Sequence, residues 1–409
     1  MALTLVTHSN ACPALFGALA ASVAQTDDAL LMHLAAEFKP EHGADTVQMV
    51  AAAGALVPSG LLWYERATGR EVLPASTIDQ IVAMAAERDV VVPWHPEFQQ
   101  QAFPKELIDK AATAGVPVIH LTGRRRNDLW DLQTAQGQPS RYGVWTRDTF
   151  GRWSRPLDKT SSPSGANPLT VVLIGTQADQ TDVYPATLAA LGDAADATGI
   201  DLRVRFVAAP QLNVSDLASV PGIVLPGGSD MDNVPGQIQA ARYGLRSRIP
   251  TLGLCLGMQS MTTALAQSCP GLEQANMAEA APHAPIKSFA PMAGMPGLPD
   301  HRLGSQTLSF TDPALERQLQ DHQRIRCNHR YMLAPALIAP LRSAGLEVTA
   351  TDHSGQIVDA VNWPKHPFYK GMQGHPELGS RSRKPHPLIE EFLLAALART
   401  GTAHRVARP

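Results

Sequence analysis

The sequence predicts an α/β protein of two domains, each a mainly parallel sheet flanked by helices. Three observations carry that reading. Short apolar runs of strand length alternate with longer helical stretches along most of the chain. Polar or glycine-rich clusters follow the apolar runs, where an open parallel sheet places its ligands. Residues 158–167, which include Lys159-Thr160-Ser161-Ser162-Pro163-Ser164-Gly165, are rich in Ser, Pro and Gly and poor in large apolar side chains, as linkers are. The expected division is a domain at 1–158, a linker at 159–167 and a domain at 168–409; 409 residues are enough for two or three cores.

In the first domain Leu3–Thr7 reads as a strand, Pro13–Ala24 as a helix and Ala44–Ala53 as a second helix. Gly60–Tyr64 and Glu71–Leu73 are expected to pair as a hairpin around Ala67-Thr68-Gly69. Ser76–Glu87 is a helix capped by Ser76 or Thr77. The clearest unit is a strand at Asp89–Pro93, a helix at Pro104–Ala114 stopped by Gly115, and a strand at Val116–Leu121, a parallel pair joined by a crossover. Past the strand ends lie His8-Ser9-Asn10, Trp94-His95-Pro96-Glu97 and Gly123-Arg124-Arg125-Arg126. His8, Asn10, His95, Glu97 and Arg124 are therefore candidates for one acceptor pocket, the arginine suiting a phosphate or carboxylate. The alternative for each is an ordinary loop residue.

The second domain reads as a doubly wound sheet: strands Leu169–Ile174, Leu202–Phe206 and Gly222–Leu225, with helices Tyr184–Ala197 and Pro235–Ser247. Residues 280–300 are a long loop. Shorter strands follow at Gly304–Phe310, Leu346–Thr351, Ile357–Asn362 and Phe368–Gln373, and a closing helix at Pro387–Arg399.

Within this domain Gly253-Leu254-Cys255-Leu256-Gly257 stands between an apolar strand and a helix running to about Ala266. Gly-x-Cys-x-Gly at such a turn is the thiol form of a nucleophile elbow. The helix N-terminus lowers a thiol pKa and offers backbone N–H groups to an oxyanion. A buried core cysteine is the alternative. A nucleophilic thiol needs a base and a group to orient the base. His375 and Glu377, two residues apart beyond an apolar strand, can supply both if that strand lies beside the one before Cys255.

Leu225-Pro226-Gly227-Gly228, the Cys255 pentapeptide with Met258-Gln259, and Gln373-Gly374-His375-Pro376-Glu377 together resemble the class I glutamine amidotransferases, above all the glutaminase domain of CTP synthase. The resemblance extends through Leu272–Asn276, Arg302-Leu303-Gly304, His329-Arg330-Tyr331 and Lys384–Leu388, over about 167–400. It implies a flavodoxin-like domain and assigns roles position by position. Cys255 is the nucleophile, His375 the base and Glu377 its orienter. Gly228 and Leu256 form the oxyanion hole, and Gly227, Gln259, Glu279 and Arg330 bind the glutamine. Ser229 and Gly374 depart from the pattern, where aromatic residues are usual in CTP synthase. Residues 1–158 carry no G-x-x-x-x-G-K-[ST] and do not align with that enzyme's ATP-dependent amidoligase.

The resulting expectation is a glutamine-hydrolysing amidotransferase whose partners are glutamine, a small-molecule acceptor and, where the acceptor site lies elsewhere, a synthetase; a homo-oligomer is a separate expectation. No cofactor or metal is evident, and ATP use is left open. A γ-glutamyl hydrolase or transferase, or a non-catalytic regulatory module, is the alternative. A net charge of −3 argues against nucleic-acid binding. No apolar run approaches the ~20 residues of a membrane span. Four scattered cysteines without a C-x-x-C pair fit a reducing, cytoplasmic setting.

Overall fold

The computed structural model describes residues 1–10, 12–38, 49–156 and 168–401. The chain forms two compact units, Met1–Ser161 with Ala178–Ala189, and Ser162–Gln177 with Ala190–Pro409. The linker expected at 159–167 and residues 44–48 of the expected second helix lie outside the described residues.

Unit 1 is built on a seven-stranded sheet. Strands β1 (Leu3–Thr7), β2 (Leu30–Leu31), β3 (Val90–Trp94) and β4 (Val118–Arg126) pair in parallel. Strands β5 (Leu129–Thr134), β6 (Pro139–Arg147) and β7 (Trp153–Ser154) extend it antiparallel, in the order β2-β3-β1-β4-β5-β6-β7. Helix α1 (Ala18–Asp27) connects β1 to β2; α2 (Ile78–Glu87) precedes β3, and α3 (Phe103–Thr113) joins β3 to β4. Leu3, Leu5, Val90 and Val92 pack with Ile81 of α2 and Leu107 of α3, so β1 and β3 are buried and mainly apolar, whereas β4 is largely exposed and polar. Thr77 caps α2 in a reciprocal box with Gln80.

Four expectations for this unit are corrected. Leu62–Thr68 is a helix, not half of a hairpin: Ala67-Thr68-Gly69 is its end, with Gly69 in the left-handed region at φ 76°. Residues 49–53 are not helical; Met49–Val50 pairs antiparallel with Leu56–Val57. The Gly123–Arg126 run is strand, not loop, because Asn127 at φ 56° and Asp128 close a two-residue hairpin that sends the chain back as β5. The helix expected from Pro13 begins as a 3-10 turn, Pro13–Leu15, before α1.

Unit 2 carries an eight-stranded sheet. Its strands are β8 (Leu169–Ile174), β9 (Leu202–Val207), β10 (Ile223–Leu225), β11 (Thr251–Leu254), β13 (Ser309–Phe310), β15 (Glu347–Thr351), β16 (Val358–Asn362) and β17 (Tyr369–Met372), in the order β9-β8-β10-β11-β17-β16-β15-β13. The first five in that order are parallel and the rest antiparallel. A separate ribbon pairs β12 (Arg302–Thr307) with β14 (Arg324–His329). Helices α4 (Val234–Ser247), α5 (Leu256–Ala266) and α6 (Pro387–Arg399) flank the main sheet. The core joins Ile223 and Leu225 of β10 to Ile238 of α4 and to Met258 and Met261 of α5.

His386 caps α6, its Nδ1 accepting the Leu388 N–H at 3.3 Å. Burial, with a smaller contribution from His322, pushes its pKa down to about 3; burial and then Arg302 do the same to His329. The unfolded chain protonates these rings near 6.5, the folded chain only near 3. Stability is therefore lost as pH falls from 6.5 towards 3, by at most roughly 1.4 kcal/mol per pH unit for each ring. The denaturant midpoint should drop between pH 7 and 5, and less steeply in His386→Asn, since Asn caps a helix without titrating. A midpoint indifferent to pH, or equal slopes in the two proteins, contradicts this.

Candidate active site

Strand β11 runs between β10 and β17, and the chain turns at Cys255 directly into α5. Cys255 sits at φ 49°, ψ −108°, a conformation that L-residues rarely adopt. The flanking glycines serve a different need, close approach. A Cβ on Gly257 would stand 1.9 Å from the Leu225 carbonyl oxygen, and one on Gly253 would stand 2.4 Å from Met261 Sδ. The strain falls on Cys255 itself, while its glycine neighbours let α5 pack directly against the strands.

Leu254 is in register with Met372 of β17, and the Cys255 N–H donates to the Met372 carbonyl at 2.9 Å. The chain leaves β17 through Gln373 and Gly374. The His375 N–H then donates to the Arg326 carbonyl of β14 at 2.8 Å. Positions 255 and 375 thus meet at the ends of adjacent parallel strands. The absent side chain at Gly374 has a steric reason: a Cβ there would lie 2.6 Å from Ile325 Cγ1 and 2.8 Å from the Arg326 oxygen.

His375 Nδ1 lies 2.8 Å from Glu377 Oε1, and the ring also hydrogen-bonds the Cys255 side chain, which leaves Nε2 to face the sulfur. Burial disfavours the charged ring, but the charges and hydrogen bonds of Cys255 and Glu377 outweigh it and hold the His375 pKa well above its ordinary value. Both Cys255 and Glu377 are buried. A ring held between a buried thiol and a buried carboxylate is the arrangement a nucleophilic cysteine needs from a base and its orienting group.

Around the pair, a Cβ on Gly227 would come 3.1 Å from His375 Cε1 and 3.4 Å from Cys255 Cβ, so only glycine leaves the thiol this approach. Leu256 opens α5, where first-turn N–H groups lack intrahelical partners. Gly228 adjoins it, a Cβ there being 4.0 Å from Leu256 Cδ2. Gln259, one turn along α5, is buried, with its Oε1 lacking a partner. Glu279 is largely exposed as a residue, yet nearby protein desolvates its carboxyl and raises its pKa, with the Arg330 charge pulling the other way. An acid and a cation therefore lie within electrostatic reach of one another.

The family model for glutamine amidotransferase class-I matches residues 181–395, more than half of the chain. This chain belongs to the class I glutamine amidotransferase family. CTP synthase of Acidothermus cellulolyticus is 36% identical over 280 residues, covering 64% of this chain and 49% of that protein. CTP synthase of Nostoc punctiforme is 34% identical over 277 residues, covering 65% and 49%. The chain spans about half the length of the curated relatives it matches. A solved structure described as the Trypanosoma brucei CTPS glutaminase domain with bound acivicin is similar at 25% identity and a TM-score of 0.52, covering 56% of this chain and 94% of that one.

This amidotransferase also has a buried polar layer that the sequence reading missed. Arg302 of β12 grips both carboxylate oxygens of Asp359 of β16, Nη2 to Oδ2 at 2.8 Å. The Gln373 N–H donates to the Asp359 carbonyl at 2.8 Å. The ion pair thus ties the β12–β14 ribbon to the strand pair that delivers His375. Cys327, His329 and Asp359 place potential ligand atoms within 4.8 Å of one another, the one such group among the described residues. The Arg302 guanidinium already holds Asp359 there, so the cluster reads as core, not as a metal centre. Arg302 and His329 face each other across β12 and β14. The signal was available as the Arg302-Leu303-Gly304 and His329-Arg330 motifs, but not their pairing.

The unit 1 candidates divide. His8 and His95 approach edge to face at 6.0 Å. His95 Nδ1 accepts the Glu97 N–H at 3.2 Å, so Nε2 carries the proton and donates to the Asn10 carbonyl at 2.8 Å. His95 is thereby fully employed in fixing the turn. Successive residues on a strand face opposite ways, and Arg125, not Arg124, lines a cavity together with Asn10.

Proposed function

We propose that unit 2 hydrolyses the side-chain amide of glutamine and that the ammonia aminates a small-molecule acceptor held by unit 1 or by a partner synthetase. The strained Cys255 at the end of β11, meeting His375 and Glu377 from the end of β17, is the observation that carries this reading. His375 Nε2 takes the thiol proton as sulfur attacks the amide carbon. The oxyanion sits between the N–H groups of Gly228 and Leu256. Collapse breaks the C–N bond, His375 returns the proton to the departing nitrogen, and ammonia leaves a γ-glutamyl thioester. Water, deprotonated by the same ring, then releases glutamate. Glu377 keeps the ring's tautomer and steadies its charged form.

The Gln259 oxygen without a partner and Glu279 suit the α-ammonium of glutamine, and Arg330 suits its α-carboxylate. The CTP synthase relatives support glutamine as the amide donor. They cover 64–65% of this chain and about half of their own length, so the acceptor stays a class: a small metabolite, not a nucleic acid. The working division into an acceptor domain at 1–158 and an amidotransferase domain at 168–409 is part of the same proposal. So is a reducing, cytoplasmic setting, in keeping with four free thiols. Among the described residues no helix is long and apolar enough to cross a membrane.

Purified full-length chain incubated with glutamine and a panel of acceptors should release equimolar glutamate and ammonia or aminated product. Absence of glutamate under all conditions overturns the proposal. Faster turnover of γ-glutamyl anilide than of glutamine would instead indicate a γ-glutamyl hydrolase.

A further inference from the structure

The carboxyl end of the unit 1 sheet carries a polar site that the chemistry of Cys255 does not use. From β1 the chain departs towards β2 at one edge, whereas from β3, the neighbour of β1, it departs to β4 on the other side. Adjacent parallel strands whose connections leave in opposite directions open a crevice at their carboxyl ends, where α/β sheets bind ligands. The first residues past these two strands are His8 and His95.

The two rings differ in kind. Each nitrogen of His95 has a partner. His8 is 3% exposed, and neither of its nitrogens has one. A buried imidazole with no hydrogen bond is costly to keep and is the sort of polar group a ligand satisfies. Its ring packs against Trp130 at 5.1 Å. Trp130 in turn lines a cavity of about 420 Å³ with Asn10, Arg125, Thr146, Arg147 and Asp182, all of unit 1. That volume suits a metabolite.

Asp128 also lines the cavity, so its two arginines stand beside two carboxylates, and what each guanidinium has left to donate decides the ligand. Arg147 is held in place by Asp182 Oδ1 at 2.7 Å and the Thr181 carbonyl at 2.8 Å. Arg125 lies over the Trp130 ring at 5.8 Å and donates from Nε to the Asn127 carbonyl at 2.7 Å. Its nearest carboxylate, Asp128, is 3.7 Å away and 94% exposed, so guanidinium N–H groups remain to be used. Asn10 accepts the Cys12 N–H through Oδ1 at 2.8 Å, which leaves its amide NH₂ as a donor.

We propose that unit 1 binds a small oxyanion-bearing metabolite, a carboxylate or a phosphate ester, in this cavity, with Arg125 and Arg147 gripping the anion and Asn10 adding a hydrogen bond. The inference rests on the reading of unit 1 as the acceptor-binding unit, but not on the chemistry of Cys255. Inorganic phosphate and malonate are the probes, titrated separately into the full-length chain at low ionic strength by calorimetry, with tryptophan fluorescence as a second readout.

At least one probe should bind saturably at a single site, phosphate pointing to an ester and malonate to a carboxylate. Arg125→Ala should weaken it about tenfold, and because that side chain is over half exposed the variant should fold. Arg124→Ala, the same charge one residue away on the other side of the strand, should change affinity less than twofold. Cys255→Ala should bind as the wild type does, so loss of glutaminase activity and loss of this site are separable. Failure of both probes to saturate, or equal weakening by Arg124→Ala and Arg125→Ala, overturns the proposal.

Discussion

Cys255→Ala is expected to lower glutamate release from glutamine by roughly 10⁴-fold or more while the protein keeps its stability. The size follows from the mechanism: without sulfur there is no thioester, and the remaining oxyanion donors and substrate contacts give only the residual catalysis of a site lacking its nucleophile. Stability should hold because alanine is smaller than cysteine and no more strained at φ 49°. The check is a coupled glutamate assay beside a denaturation curve. A variant retaining a tenth of wild-type activity would place the nucleophile elsewhere.

Gly257→Ala should have the largest effect on the fold at the site. The added methyl would meet the Leu225 carbonyl oxygen at 1.9 Å and its carbon at 2.6 Å, both backbone atoms of β10 that no rotamer change can move. Helix α5 must shift away from the sheet, at a cost of about 3 kcal/mol, the upper part of the range for overpacking. Because Cys255 immediately precedes α5, a shift near 1 Å also misplaces the thiol, which costs on the order of a hundredfold in rate. Denaturant unfolding and glutamate release should fall together. Unchanged values for both would show that the approach of α5 to β10 is not what the glycine provides.

Much of this was readable before any coordinates, and the reason differs by region. The strand before Cys255 is fully buried and the one before His375 is buried except at Lys370, so both stand out as mainly apolar stretches, and the residues after them show as motifs. What motifs cannot convey is which strand end lies beside which; that comes from the register of β11 with β17. The Arg302–Asp359 pair escaped notice because an arginine and an aspartate 57 positions apart look like any surface charges. In unit 1, Leu62–Thr68 was misread because its terminal Gly69 resembles a hairpin turn. The β4–β5 hairpin was missed because an arginine-rich strand carries no apolar signal, although Asn127-Asp128 marks its turn.

The most direct test of the central claim is to react the protein with a glutamine-like electrophile and map the adduct by peptide mass spectrometry. A single modification on Cys255, lost when excess glutamine competes and lost in His375→Ala, is the predicted result. Modification spread over Cys12, Cys269 and Cys327, or labelling of Cys255 that glutamine does not protect, would contradict it.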